Sequence, residues 1–424
     1  MVATTHSRGQ TGWRARAHDA LTNLQAWFSL AAGLVIVLGF GLGSHPDARF
    51  QLTGRGAPLE LPTLVVPVRP VAIVGGVLAL VIATYVALRA PQRQRATWML
   101  TIVITSFVVS FLCWAVAGKT MSLAGLASAT VVGALPLLLG ALAGIMCERA
   151  GVINVAIEAQ FILGAFAASV FASLGGVWIG MASGSLAGGL VGVLLAVCTI
   201  RYLADQVVVG IVLTLLVQGL TGFLLTRVLI PNAETLHDPP VMGDARIPVL
   251  ADIPVVGSGV FDQTVIWYFA LVLLVLVQLG LFRTRWGLRV QAVGENPQAA
   301  QSAGIDVRRV RYQNVLVGGL IAGLGGTFFT IGSVGQFAIG ITAGKGFIAL
   351  AAVIFGGWRP VAAFGAALLF GFADAIQSIL SVIGSPIPSE ILQIFPYVVT
   401  ILALAGLVGR VRPPAADGKP FVRA

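Results

Sequence analysis

Charge is scarce in this chain: only 10% of its 424 residues are Asp, Glu, Lys or Arg. Water-soluble domains carry about a quarter of their residues charged, so this composition excludes one. Histidine is scarcer still, and His6, His18, His45 and His237 are scattered through terminal or loop segments. Neither a zinc cluster nor a histidine-based catalytic dyad has residues to stand on, and an enzyme reading has no constellation behind it. The three cysteines, Cys113, Cys147 and Cys198, are odd in number and lie in or at the ends of apolar runs. They form no framework of paired spacings, and three free thiols are expected.

What the chain has is apolar length. It is 57% hydrophobic, with a mean hydropathy of +0.95. A span needs about 20 mostly apolar residues to cross about 30 Å of hydrocarbon. Twelve candidate runs lie near 27–43, 71–88, 97–118, 121–146, 152–174, 177–200, 206–229, 265–282, 312–332, 340–357, 361–383 and 391–409. The expectation is an all-α polytopic membrane protein with about twelve transmembrane helices, or 10–11 if the weakest runs, the tenth first among them, do not cross.

Lys and Arg collect on the cytoplasmic side of span ends. With both termini inside, the inner loops hold 19 of the 26 Lys and Arg, so both termini are expected to be cytoplasmic. The net charge of +10 then reflects topology and attraction to anionic lipid headgroups, with no nucleic-acid partner implied. The first apolar run lacks a small-residue cleavage site and is read as a retained span. The largest outward loop, near 231–264, is acidic and proline-rich, and is expected to form an ordered, non-helical cap that is either a docking surface or plain solvated loop. Trp98, Trp178, Trp267, Trp286 and Trp358 fall near span ends, where amphipathic rings prefer the interface. The pairs Gly184/Gly188 and Gly319/Gly323 permit close helix packing.

Polar residues inside spans are costly and face protein, water or solute. They are Asn154, Glu158 and Gln160 in the fifth run, Gln218 in the seventh, Lys345 in the tenth, and Asp374 with Gln377 in the eleventh. On a continuous helix Asn154 and Glu158 share one face. Each is either part of a solute path or a structural group, for example an ion pair of Glu158 or Asp374 with Lys345. GITAGKG, residues 340–346, looks like a phosphate loop but has the wrong spacing and lacks the Ser or Thr that would hold magnesium. Two spans, 151–168 and 344–360, begin with polar or glycine residues before turning apolar. Paired interrupted spans point to a midplane pathway built from broken helices, with Asn154 and Glu158 in one half and Lys345 and Phe347 in the other.

The stretch RTRWGLRVQAVGENPQAAQSAGIDVRRVR, residues 283–311, is the one long basic segment held between two apolar runs. Asn296 is placed to cap a helix of about two turns starting at Pro297, and Gly304 to end it in a left-handed conformation. Such a helix, anchored at both ends by spans, is a docking surface for a soluble partner.

ERAGVINVAIEAQFILGAFAAS (148–169), GLRVQAVGENPQAAQSAGIDVRRVR (287–311), GKGFIALAAVIFGGWRPVAAFGAALLFGFADAI (344–376) and FPYVVTILALAGLVGR (395–410) resemble the permease subunits of ATP-binding-cassette (ABC) importers. The nearest branch is the simple-sugar or nucleoside one, within the larger family of ribose and branched-chain amino-acid permeases. The resemblance covers residues 121–410 and implies a type II importer-like bundle with a weak internal inverted repeat. It leaves residues 1–120 as a cytoplasmic tail with about three extra spans, and 411–424 as a second tail. It implies a transport subunit without its own ATPase or cofactor, in a bacterial plasma membrane, moving a small polar solute such as a nucleoside. Its alternatives are a ribose-type sugar permease or an ion-coupled secondary carrier.

The implied partners are an ATPase subunit that uses the ATP, a second permease or another copy of this chain, and an extracytoplasmic substrate-binding lipoprotein. By the same resemblance residues 294–304 are the coupling region, with Trp286, Gly287, Glu295, Asn296, Pro297, Ala299, Ala300 and Gly304 as ATPase-coupling positions. Asn154, Glu158, Gln160, Gln218, Lys345, Phe347 and Asp374 are the candidate pathway residues. Where the family has glycine after the glutamate, this chain has Ala159.

Overall fold

The computed structural model describes residues 25–43, 45–53, 61–89, 92–385, 387–388, 390–392, 394 and 412–422. The chain divides into two compact units, Met1–Gly125 with Ser378–Leu392, and Leu126–Gln377 with Gln393–Ala424.

In the first unit, α1 (Gln25–Gly41), α2 (Val68–Arg89) and α3 (Arg93–Ala115) pack around Ile36, Ala72, Ala79 and Val103. The Phe40 ring lies 5.0 Å from Trp114 and 6.0 Å from Phe107 and Phe111, so aromatic contacts close this small core. Strand β1 (Ala48–Gln51) pairs antiparallel with β2 (Leu64–Val66) and parallel with β3 (Thr120–Ser122), satisfying backbone between spans. Val74, Val77, Val81 and Leu88 are exposed on α2, the outward apolar face a lipid-bathed helix requires.

The second unit is built on α4 (Leu123–Glu148), the most deeply buried span. Around it lie α5 (Ile157–Gly175), α6 (Val177–Arg201), α7 (Gln206–Leu236), α8 (Val265–Arg283), α9 (Arg285–Glu295), α10 (Pro297–Ser302), α11 (Val307–Val334), α12 (Lys345–Phe355) and α13 (Pro360–Val382). Helices α5, α6 and α11 touch backbone to backbone. A Cβ at Gly188 would meet Gly323, and one at Gly184 would meet Gly164 and Thr327, so the two small-residue pairs face one another.

Among the described residues nine helices are long and apolar enough to cross a membrane. The tenth apolar run is not a continuous span: its helix is the 11-residue α12, entered through the turns of residues 335–344. The first run is the shorter helix α1, and most of the twelfth, 391–409, lies outside the described residues. The acidic loop is ordered by a hairpin of β4 (Asp244–Arg246) with β5 (Asp262–Thr264) and by an Arg246–Asp252 ion pair. It also holds a short helix, Val256–Val260, which a proline-rich reading does not anticipate.

Trp98 and Trp178 are exposed, as interfacial rings are. Trp267 and Trp358 are instead buried, their indole N–H groups donating to Val260 O at 3.1 Å and to Glu148 Oε2 at 2.6 Å.

Candidate functional site

The two interrupted segments meet. Residues 151–156 form no helix, and α5 starts at Ile157, so Asn154 does not share a helical face with Glu158 as a continuous span would require. Glu158, on the first turn of α5, points its carboxylate at the N-terminus of α12. Its Oε1 accepts from Thr342 Oγ1 at 2.5 Å and Gly344 N at 3.1 Å, and its Oε2 accepts from Gly346 N at 2.7 Å. The first N–H groups of a helix lack intrahelical acceptors and carry positive dipole, so a carboxylate there is doubly favoured. The GITAGKG stretch therefore does cradle an anion, namely the carboxylate of its own chain.

Gly346 permits the approach: a Cβ there would lie 2.5 Å from Glu158 N and 2.6 Å from its Cα. At 1.5 Å per residue, α12 is about 16 Å long, roughly half the hydrocarbon thickness. Beyond its far end Trp358 is bonded to Glu148, which ties that end to the end of α4.

Lys345 Nζ bonds Asp374 Oδ2 at 2.9 Å, joining α12 to α13, and the two side chains are 23% and 41% exposed. Of the two ion pairs open to Lys345 from sequence, the one with Asp374 forms, and Glu158 takes the Thr342 hydroxyl and two backbone N–H groups instead. Phe347, 46% exposed, sits on the same first turn of α12. Gln218 is exposed on α7, apart from these contacts.

Asn154 and Gln160 are fully buried. Asn154 Nδ2 donates to Gln160 Oε1 at 3.1 Å and to Cys147 Sγ at 3.5 Å, while Gln206 Oε1 accepts from Ile153 N at 2.7 Å. Gln206 thus takes a backbone N–H that the unwound stretch leaves without a helical partner, while Asn154 and Gln160 bond each other. Ala159, where the resembled family has glycine, is also fully buried.

The basic segment folds into two helices where one was expected. Thr284 caps α9 by accepting from Gly287 N at 3.1 Å, and Asn296 caps α10 by accepting from Ala299 N at 3.0 Å, with Pro297 in the first position. Gly304 follows with φ +80°, and Asp306 caps α11 through Arg309 N at 3.1 Å. Sequence reasoning missed α9, although Thr284 before buried positions Gly287, Val290 and Val293 was its signature. Glu295, Asn296 and Ala299 are exposed. Ala300 is 4% exposed and packs into the core, so its side chain faces inward and not toward a partner; Gly287 is likewise buried and Trp286 half-buried.

Sequence reasoning also missed the turn after α4. Arg149 Nε donates to Trp358 O at 3.0 Å, and the Arg149 guanidinium lies 5.3 Å from the Phe282 ring. Its carbonyl packs against Gly294 at the end of α9.

Among the described residues no group of three or more His, Cys, Asp and Glu side chains is placed to hold a metal ion. Comparison with known proteins agrees with a transport component. The chain is 38% identical over 311 residues to the guanosine ABC transporter permease protein NupQ of Bacillus subtilis, covering 70% of this chain and 95% of that protein. It is 38% identical over 303 residues to the nucleoside ABC transporter permease protein NupC of Lactococcus lactis, covering 68% and 94%. A putative glucose ABC transporter permease protein of Haloferax volcanii, TsgC13, is 36% identical over 259 residues, covering 60% and 77%. No solved structure matches. The model of the family described as the permease component of branched-chain amino acid transport systems matches residues 126–404, and with this span of likeness the chain is a multi-pass membrane permease belonging to that family.

Proposed function

We propose that this chain is the permease subunit of an ATP-driven importer that moves a nucleoside across a bacterial plasma membrane, with both termini cytoplasmic. The observation that carries the reading is the half-exposed Lys345–Asp374 pair beside Phe347 at the junction of two broken crossings. A partly exposed ion pair between two apolar helices is costly against lipid, so it faces water, solute or protein. Lys345, Phe347 and Asp374 then line the path, Phe347 stacking on a base, while Asn154, Glu158 and Gln160 shape it from behind. Gln218 lies on the same proposed route from α7.

The exposed edge of α9–α10, with Glu295, Asn296, Pro297 and Ala299, is the docking surface for an ATPase subunit that binds and uses the ATP. A second permease, or another copy of this chain, completes the path, and an extracytoplasmic binding protein supplies solute. The names of the Bacillus and Lactococcus relatives support a nucleoside. The Haloferax relative supports a second reading, a simple sugar.

The test is uptake by liposomes holding this chain with its candidate ATPase, second permease and binding protein. Labelled guanosine, ribose and glucose are offered with and without internal ATP. ATP-dependent guanosine uptake, lowered by Phe347→Ala and Glu295→Ala, is expected. Uptake indifferent to ATP but following a proton or sodium gradient would overturn the importer reading.

A further inference from the structure

Residues 412–422 come back against the second unit and touch two parts of the site at once. The Ala416 N–H donates to Gly294 O at 2.8 Å, and the Ala415 N–H donates to Glu295 Oε2 at 3.3 Å, both at the end of α9. Further along, Arg311, 1% exposed in the first turns of α11, donates from Nη1 to Lys419 O at 3.0 Å. The other side of the same segment abuts the unwound stretch. A Cβ on Gly418 would lie 2.8 Å from Ile153 Cδ1, and one on Gly151 would lie 3.1 Å from Ala416 O. Ala416 and Phe421 are buried, so this is packed chain and not a loose end.

Gly294 also rests on the Arg149 carbonyl, and the Arg149 guanidinium attracts Glu295 at the end of the same helix. We infer that residues 412–422 are a strap, hydrogen-bonded to the end of the ATPase-facing α9 and to Arg311 of α11 and packed on the foot of the broken α5 crossing, so that inward displacement of α9–α10 reaches residues 151–156 through it as well as through Arg149. The inference rests on the reading of α9–α10 as the ATPase-docking surface.

Two variants test it in the full reconstituted complex. One deletes residues 412–424. The other, Ala416→Pro, removes the single N–H that bonds Gly294, with Ala416→Ser as a control that keeps it. Three quantities are read: ATPase retained on purification, ATP hydrolysis, and solute taken up per ATP. The expected result is retained ATPase and continued hydrolysis, with uptake per ATP lowered roughly tenfold by the deletion, an ordinary size for a lost coupling. Ala416→Pro lowers it in the same sense and Ala416→Ser leaves it unchanged. Should the deleted chain fail to fold, Ala416→Pro decides alone. Unchanged uptake per ATP in Ala416→Pro overturns the strap, as does loss of the ATPase from that variant, which would make the segment part of the docking surface. A wild-type chain that holds no ATPase overturns the docking reading and the strap together.

Discussion

The carboxylate of Glu158 accepts the backbone N–H of Gly346 at 2.7 Å, so the first turn of α5 and the first turn of α12 are held by one side chain. Glu158 and Gly346 are both buried, where a free N–H has no water to turn to. Glu158 answers three donors of the opposite segment and brings two interrupted crossings to one point.

Glu158→Ala removes all three acceptor contacts. Hydrogen bonds to a charged group are worth about 1.5–3 kcal/mol each when a partner is left buried and unpaired. We expect a cost of at least about 2 kcal/mol, read as a lower unfolding midpoint of the purified chain in detergent, with Glu158→Gln intermediate. A midpoint equal to wild type for Glu158→Ala would show that the α12 terminus has another partner.

Gly346→Ala tests the same junction sterically. The added methyl would sit 2.5 Å from Glu158 N, a backbone atom that moves only with its helix. Overpacking of this kind costs about 1–3 kcal/mol. The yield of folded, monodisperse protein on size exclusion should drop, and a wild-type yield with wild-type uptake would refute the tight contact.

Ala299 and Ala300 adjoin in sequence but differ in surroundings: Ala299 is exposed and Ala300 is 4% exposed. Ala299→Arg should leave the melting of the isolated chain unchanged while weakening ATPase retention. Ala300→Arg buries a charge in the core and should lower melting by several degrees even without a partner. Equal behaviour of the two variants in both assays would contradict the orientation of α10.

Burial raises the Asp417 carboxyl to about 7, against the lowering influence of the Gly418 N–H and the Arg311 guanidinium. Glu148, at the end of α4, is an electrostatic neighbour of Asp417, and Glu295 holds the neighbouring Ala415 N–H. The folded chain therefore keeps a proton that the unfolded chain has lost between the ordinary Asp value of 3.8 and about 7. Stability from this group is greatest below that window and falls as pH rises through it. Hydrogen-exchange protection of the Ala416 amide, corrected for intrinsic rate, should be higher at acid pH than at alkaline pH, and Asp417→Asn should flatten the difference. An unchanged slope in Asp417→Asn would assign the effect to another group.

Long apolar runs were legible because hydropathy alone reports them, and Asn296, Pro297 and Gly304 were legible because capping chemistry is local. The tenth crossing was not: eleven apolar residues preceded by glycines carry the hydropathy of a span, and composition does not register which N–H groups lack a partner. Placing Asn154 on the helical face of Glu158 failed for the same reason, since the Gln206 amide that takes the Ile153 N–H of the unwound stretch comes from more than fifty residues away in the chain. Ala300 turned inward because α10 is a single short helix packed on the core, a fact of tertiary contact. The partners of Trp358 and of residues 412–422 lie more than 100 residues away in sequence, beyond any motif.

Where Gly188 meets Gly319 and Gly323, backbone lies on backbone and no side chain stands between α6 and α11 to shift rotamer and take up slack. Those helices therefore behave as a keel: with α5 they travel together or not at all. Any gate in this protein has to swing on the pieces hung from that keel, the short α12 and the unwound foot of α5, which are also the pieces Glu158 pins together.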